Sequence, residues 1–499
     1  MERPVLLIGF YNKKALGVRY LERALKTAGY ETIVVFFKDF NSVKPQPVTA
    51  KELDLLKELI LNVNPGIIGM SVMASLYLET VYSVNDMLKS NFKIPLVWGG
   101  VFPTLFPEKC LEYADYVVRG EGEDSFSELV HAIYANKPVN SIPNLAYRKN
   151  EATYINDIRM LCENIDKYGY PDIGGSNKYF INNNTITEGD PQLKSVSYEL
   201  TASRGCPFMC SYCSSINLKR VYKGKGVYVR FRSVNSVLSE LKEAKSKIKG
   251  LKVIHFWDEI FSDDPDWIDQ FSERYKKEIG LPFEIWGHPL KVNKPLISKL
   301  VEAGLYKVVM GIQSGSPRVR KEIFHRVESQ DEIIGASSVL RECKVPQVIY
   351  DFMLQHPFET EEDIKQTYEL CTKLKTPFEL QLHGLNFLPG TDIVDMAIDM
   401  NILSGEQLEK IMYSSIQEQY DMYWGYKNDS LMSNFWYALT YMTQFGVTRP
   451  LAVYFAKKGG SERHVRLALK LYKRVQFLSR IRYYYKKGMI VIRALVKHN

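Results

Sequence analysis

Short apolar runs rich in Val, Ile and Phe recur along the first 130 residues, separated by stretches whose apolar positions fall at helical spacing. Val5–Phe10, Thr32–Phe37, Gly66–Val72, Ile94–Trp98 and Tyr116–Val118 read as strands. Between the first two, Val18, Leu21, Leu25 and Ala28 share one helix face, and Gly29 stands where a C-terminal cap belongs. Leu53, Leu56 and Ile60 repeat the pattern before the third. Five such units predict a doubly wound, flavodoxin-like or Rossmann-type α/β domain over residues 1–135. Its ligand would lie beyond the carboxyl ends of the strands, where the strand order reverses.

Residues 136–194 lack sustained periodicity, are rich in Asn, Gly, Pro and Tyr, and read as a linker. A second alternating series follows, with strands expected at Ser197–Thr201, Val253–Phe256, Phe283–Trp286, Lys307–Gly311, Gln347–Phe352 and Phe378–Leu382. Six strands with intervening helices fit a partial (β/α)6 barrel over residues 195–400, with its site at the C-terminal strand ends. Residues 401–499 read as a helical region, dense in Met, Tyr and Trp and then basic. No repeat of solenoid length is present.

Composition adds bounds. The 499 residues are 45% hydrophobic and 24% charged, as in a globular protein rather than a disordered or fibrous one. No stretch approaches the roughly 18 consecutive apolar residues of a membrane span, and the opening MERPVLLIGFYNKK reads as a first strand rather than a signal peptide. The net charge of +8 is uneven: from Lys457 onward thirteen bases face one acid, and the rest of the chain sums to −4. The interspersed bases and apolar residues of Arg463 to Arg482, with Tyr483–Tyr485 beyond, suit either an anionic surface or a helical cap on the barrel; nucleic acid is not expected. Seven cysteines, three of them within eight residues, are a metal pattern of a reducing, cytoplasmic setting rather than a disulfide framework.

Those three, Cys206, Cys210 and Cys213, follow the first barrel strand immediately. Spacings of four and three let one short loop wrap three thiolates around a [4Fe–4S] cube, leaving one iron open to a small molecule. A zinc knuckle would want a fourth ligand nearby, but the next histidine is His255, in an expected strand.

CxxxCxxC with an aromatic residue before the last Cys resembles the radical S-adenosylmethionine (SAM) superfamily, and the segments that follow agree in order over about residues 195–400. The resemblance implies that the open iron binds the methionine moiety of SAM and that one electron cleaves the sulfonium to a 5′-deoxyadenosyl radical. It places Tyr212 against the adenine, Asp258 and Glu259 at the methionine ammonium, and Gln313 and Ser314 by the ribose and carboxylate. Arg326 is a further candidate for the carboxylate. Pro357-Phe-Glu-Thr-Glu resembles the start of the fifth helix, but Gln355-His356 stands where relatives carry a small residue, so the substrate end of the cavity is expected to differ.

Ahead of the barrel, the loop after the first strand lacks the GxGxxG of a nicotinamide site. Trp98-Gly99-Gly100-Val101-Phe-Pro-Thr104 and Asp115-Tyr-Val-Val-Arg-Gly120-Glu121-Gly122-Glu123 instead resemble the cobalamin-binding domain of the B12-dependent radical SAM family. Ser71 is the matching hydroxyl beneath the corrin. Residues 1–130 contain no histidine, so none from this domain's first loop would ligate cobalt. A tRNA methylthiotransferase would need three more cysteines before Cys206, where only Cys110 and Cys162 stand.

Together these readings predict a B12-dependent radical SAM enzyme that methylates an unactivated carbon through methylcobalamin. Cyclisation or rearrangement without net methyl transfer is the alternative, and a non-turnover cobalamin or SAM sensor the remaining one. His288, Tyr350, Asp351 and His383, near barrel strand ends, are the candidates for substrate contact. The expected partners are a small-molecule or lipid-like substrate and an electron donor such as flavodoxin or ferredoxin. The expected location is cytoplasmic, with the basic tail the part suited to peripheral membrane contact.

Overall fold

A computed structural model of the chain describes residues 2–40, 46–425 and 430–496. It divides into two units: residues 1–287, 298–306 and 386–425, and residues 288–297, 307–385 and 426–499.

The first unit is built on a nine-stranded sheet. Strands β1 (Val5–Phe10), β2 (Thr32–Phe37), β3 (Ile67–Ser71), β4 (Leu96–Gly99) and β5 (Tyr116–Val118) lie parallel in the order 5-4-3-1-2. Every residue of β1 and β2 is buried because helices cover both faces. Alternation sorts the side chains: Leu6, Ile8, Val35 and Met70 enter one core with helices Ala50–Val63 and Leu78–Asn91. Val5, Leu7, Val34 and Phe36 enter the other, with helices Leu16–Thr27 and Glu123–Tyr134. The connections leaving β1 and leaving β3 therefore run on opposite faces, which opens a crevice at the carboxyl ends of those two adjacent strands.

Residues 136–194 are not a linker. They supply β6 (Leu145–Lys149), β7 (Ala152–Ile155), β8 (Lys178–Asn182) and β9 (Thr185–Glu188), two hairpins that extend the sheet at its opposite edges. β7 and β9 are exposed throughout, so no buried period marks them. The hairpins turn on pairs with positive φ, Asn150-Glu151 and Asn183-Asn184, the left-handed geometry that two-residue turns require. A buried ion pair between Arg19 and Asp190 (2.7 Å), with Lys178 3.0 Å from Glu22, ties this segment to the first helix.

The same unit contains β10 (Ser197–Leu200), a small ladder of β11 (Ser203–Arg204) and β12 (Arg230–Phe231), and β13 (Val253–Phe256) and β14 (Phe283–Gly287), parallel to β10. Helices Gly405–Tyr413 and Ile416–Gly425 also belong here rather than to a separate C-terminal domain. Met412 and Ile416 are buried in the core that contains Leu78 and Trp98, and the Ile416 amide donates to Glu79 (2.9 Å).

The second unit holds most of β15 (Leu305–Gln313), with β16 (Gln347–Met353) and β17 (Glu379–His383) in parallel register, and helices Gln330–Glu342 and Glu361–Lys373. Helices Leu431–Met442, Arg449–Lys457 and Glu462–Val496 build its remaining core around Phe435, Leu439, Met442 and Val465. The structure describes helical backbone from Arg482 to Val496; the Tyr483–Tyr485 side chains lie outside the described residues. Among the described residues no helix is long and apolar enough to cross a membrane.

Candidate functional site

The crevice in the first unit opens into a cavity of about 290 Å³ beyond the carboxyl ends of β1, β3, β4 and β5, where Gly17, Ser71, Gly99, Gly120 and Gly122 face it. A second, of about 320 Å³, shares Met73, Gly100, Glu121 and Arg204 with it and reaches Gly205, Trp257 and Glu259. Ser71, Gly99, Gly100, Val101, Gly120, Glu121 and Gly122, far apart in sequence, all line one or the other.

The glycines are needed by the backbone as well as by the space. Gly100 has φ +114°, and a Cβ there would lie 2.6 Å from the Val72 carbonyl oxygen. Gly120 has φ +66°, and a Cβ there would collide with the Tyr222 hydroxyl, which accepts from the Glu121 amide (2.5 Å). Thr104 latches the two glycine loops together: its hydroxyl donates to the Gly100 carbonyl (2.7 Å) and accepts from the Gly120 amide (2.8 Å). Thr104 belongs to the glycine motif Trp98–Thr104, but only the fold brings it to residue 120.

Arg204, the residue before the cysteine loop, is held by Glu123 (2.5 Å) and Glu121 (3.5 Å) and lies over the Tyr20 and Tyr168 rings. Burial opposes its charge, but the two glutamates outweigh burial and hold the guanidinium more firmly protonated than usual. Arg230 pairs with Glu121 and donates to the Cys162 carbonyl (3.0 Å). Sequence motifs give no sign of the role of either arginine, because their glutamate partners are about 80 to 110 residues away.

Cys206, Cys210 and Cys213 lie half-buried on the loop that runs from β11 to helix Ser214–Val221, whose N-cap is Cys213. Burial pushes the Cys206 thiol up to about 12 and Cys213 to about 11, while the nearby amides of Phe208 and Ser215 oppose that shift. Each of these two thiols also feels Cys210 and Glu259. Three thiols on one short loop are the donor set of an iron–sulfur cluster, which neutralises buried thiolates by metal coordination. His255 is turned to Glu284 (3.2 Å). Among the described residues, no three His, Cys, Asp or Glu side chains close on a single metal ion.

Of the paired acids, only Glu259 faces the cavity; the Ser215 hydroxyl donates to it (2.6 Å). Asp258 is buried, and its carboxylate accepts from the Ala202 amide (3.1 Å) and the Ser203 hydroxyl. Burial raises it to about 6 against those hydrogen bonds. It ties the end of β10 to the end of β13. Tyr212 is half-buried on the cysteine loop.

In the second unit, His383 Nε2 meets Asp351 Oδ1 at 2.8 Å, and the Gln313 amide donates to Asp351 Oδ2 at 3.2 Å, linking the ends of β17, β16 and β15. Burial opposes the charge on His383, but Asp351 outweighs it and raises the imidazole above its usual value. Gln313 has φ +69° and its Oε1 is buried without a hydrogen-bond partner. Four other candidates are committed to the fold. The Tyr350 hydroxyl donates to Ser337 (2.7 Å), and Ser314 accepts from the Ser316 amide (3.2 Å). Arg326 is a buried partner of Glu328 (2.5 Å), and His288 Nε2 lies 3.4 Å from the same carboxylate. Polar groups this deep find partners within the fold, which the sequence alone could not show.

His356 and Glu359, at the start of the segment that resembles the fifth helix, form a pair: both are fully buried side chains, 3.8 Å apart, and Glu359 Oε1 and both imidazole nitrogens have no hydrogen-bond partner. Burial raises Glu359 from 4.5 to about 8 and lowers His356 from 6.5 to about 3. The folded state therefore keeps a proton on Glu359 that the unfolded chain loses above pH 4.5, and withholds from His356 one that the unfolded chain takes up below pH 6.5. The two slopes cancel between those values. Stability is expected to fall from about pH 6.5 to about 8, by up to about 1.4 kcal/mol per pH unit from this pair. Denaturant midpoints measured across that range should show the fall, and Glu359→Gln should flatten it.

Comparison with known proteins agrees with this architecture. Residues 11–130 match the B12 binding domain and residues 200–371 the radical SAM superfamily. The chain is a B12-binding radical SAM enzyme, and its cofactors are a [4Fe–4S] cluster, SAM and cobalamin. It is 28% identical over 358 residues to an uncharacterised methyltransferase of Pyrococcus horikoshii, covering 70% of this chain and 72% of that one. It is 24% identical to the cytidylyl-2-hydroxyethylphosphonate methyltransferase of Streptomyces wedmorensis, covering 62% and 63%. An anaerobic magnesium-protoporphyrin IX monomethyl ester cyclase of Cereibacter sphaeroides is 25% identical, covering 71% and 55%. Among solved structures, the radical SAM methyltransferase TsrM of Kitasatospora setae, with cobalamin and a [4Fe–4S] cluster bound, superposes with a TM-score of 0.63 at 16% identity, covering 80% of this chain and 78% of that one.

Proposed function

We propose that the protein transfers a methyl group to an unactivated carbon of a small organic substrate. One observation carries the reading: within the first unit, the glycine-lined strand ends of the B12-binding domain share cavities with Arg204, Gly205, Trp257 and Glu259, which flank the cysteine loop. When bound, the cofactors supply a 5′-deoxyadenosyl radical for hydrogen abstraction and a methyl group for transfer to carbon.

The chain's residues have these roles in the proposal. Cys206, Cys210 and Cys213 hold the cluster, with the Phe208 and Ser215 amides nearby. Glu259, oriented by Ser215, takes the SAM ammonium, and Tyr212 meets the adenine. Gly99, Gly100, Gly120 and Gly122 let backbone approach the corrin, and Thr104 keeps their loops in register. Arg204 couples the cysteine loop to the Glu121–Glu123 turn, so the two halves of the cavity hold a set spacing. Asp351 orients His383 for substrate contact. The reductant is an electron donor of the flavodoxin or ferredoxin kind.

The similarity to a cyclase favours a second reading, in which the same radical closes a ring without net methyl transfer. Protein purified anaerobically from cobalamin-supplied cells is expected to carry about four iron atoms and about one corrinoid per chain. Reduced with SAM and candidate substrates, it should form 5′-deoxyadenosine and move label from the SAM methyl group to product. Iron without corrinoid would end the methyltransferase reading; 5′-deoxyadenosine with an unlabelled, cyclised product would favour the second.

A further inference from the structure

We propose that the outward face of residues 463–481 of helix Glu462–Val496 docks the protein on an anionic lipid surface. One side of this helix is accounted for by the fold: Val465 and Ala468 are buried with Phe435, Leu439 and Met442, and Val475 is buried further along. The opposite side has no such use. Leu467 is 53% exposed, Phe477 65%, Leu478 63% and Ile481 50%. At spacings of three and four residues these interleave with exposed Arg463, Lys470, Lys473 and Arg474, so that apolar and basic side chains alternate along one stripe.

The patch continues onto the neighbouring helix. Tyr454 and His464 rings meet edge to face at 6.2 Å, and Leu451 and Tyr454 on helix Arg449–Lys457 are exposed beside them. The one acid of the segment from Lys457 onward, Glu462, is paired with Arg466 (2.5 Å).

Charge selects a polyanion, and the apolar half of the stripe selects which one. Bases alone suit nucleic acid, but single strands are held on aromatic planes, and here three of the four exposed apolar residues are aliphatic. A bilayer interface rewards both classes at once, with bases among the anionic headgroups and Leu, Phe and Ile at the acyl boundary. Among the described residues no helix is long and apolar enough to span, so the helix would lie along the surface rather than across it. This inference is independent of the reaction proposed above, since no residue of the face lines the cavities of that site.

The test uses the full chain with sedimenting vesicles at about 0.1 M salt. Phosphatidylcholine containing about one-third phosphatidylglycerol should carry the protein down, pure phosphatidylcholine should not, and about 0.5 M salt should release it. Phe477→Glu with Leu478→Glu, both exposed, should lower the vesicle-bound fraction about tenfold while the melting temperature and iron content stay as in the unaltered protein. Lys470→Glu with Arg474→Glu should do the same through charge. Equal binding to neutral and anionic vesicles, no binding to either, undiminished binding by both double variants, or tighter binding to single-stranded RNA than to anionic vesicles at the same salt would each overturn the proposal.

Discussion

Cys206→Ala, Cys210→Ala and Cys213→Ala, made one at a time, are each expected to abolish 5′-deoxyadenosine formation, a loss of about a thousandfold or more, or at least about 4 kcal/mol in the barrier. The loop supplies three thiols and no fourth, so deleting one leaves the cluster without a substitute ligand. Fold should survive, because the three side chains are only half-buried and the loop backbone is set independently of them. The Cys213 amide donates to the Cys210 carbonyl (3.1 Å), and the Ser211 carbonyl accepts from the Ile393 amide (3.0 Å). Cys371 is the contrast. It is buried in the second unit, with its thiol pushed up to about 12 by burial, so it behaves as a small apolar side chain. Cys371→Ala should leave iron content and activity in place and cost about 1–2 kcal/mol of stability. Iron and sulfide content, 5′-deoxyadenosine yield and denaturant midpoints measured side by side check both halves. Full iron in any of the three loop variants would remove that cysteine from the ligand set.

The second large effect separates space from strain in the cobalamin site. Gly99 sits outside the left-handed region, and a Cβ there would find only the Val118 carbonyl oxygen at 3.5 Å, an ordinary contact. Gly99→Leu should therefore fold, and its remaining atoms should occupy the cavity of about 290 Å³ at the strand ends. Corrinoid content is expected to fall about tenfold, with the melting temperature shifted by only a few degrees. Gly100→Ala should act differently. Its φ of +114° and the 2.6 Å approach to Val72 mean that the backbone itself must move, at about 1–3 kcal/mol or more. It should lose stability and corrinoid together. A Gly99→Leu protein with one corrinoid per chain would show that the cavity is not where cobalamin binds.

Strand positions in both series were legible because buried parallel strands are continuous apolar runs. β1, β2, β5 and β13 stand where the pattern put them, and the others differ at their ends by one or two residues. The cysteine loop and the glycine motifs were legible for a related reason: each is a local device, complete within about ten residues. The edge hairpins at 145–155 and 178–188 were not, because exposed edge strands have no buried face to impose a period. Their Asn-containing turns were the one available signal. Nor could the chain show that helices Gly405–Tyr413 and Ile416–Gly425 return to the first core, since a buried Met412 or Ile416 does not name its partner.

The sequence by itself determined the chemistry on offer: three thiols on one loop, glycines at strand ends, carboxylates after β13 and a basic, apolar-studded last helix. Only the tertiary structure decided which of these groups remain available. It spent Asp258 on Ala202 and Ser203, Arg326 on Glu328 and Tyr350 on Ser337, and left Glu259 at the cavity and His383 on Asp351. The physical reason is desolvation. A polar group taken from water must find its hydrogen bonds within the fold, and the partner it finds lies up to 56 residues away for these groups, beyond the reach of any local pattern.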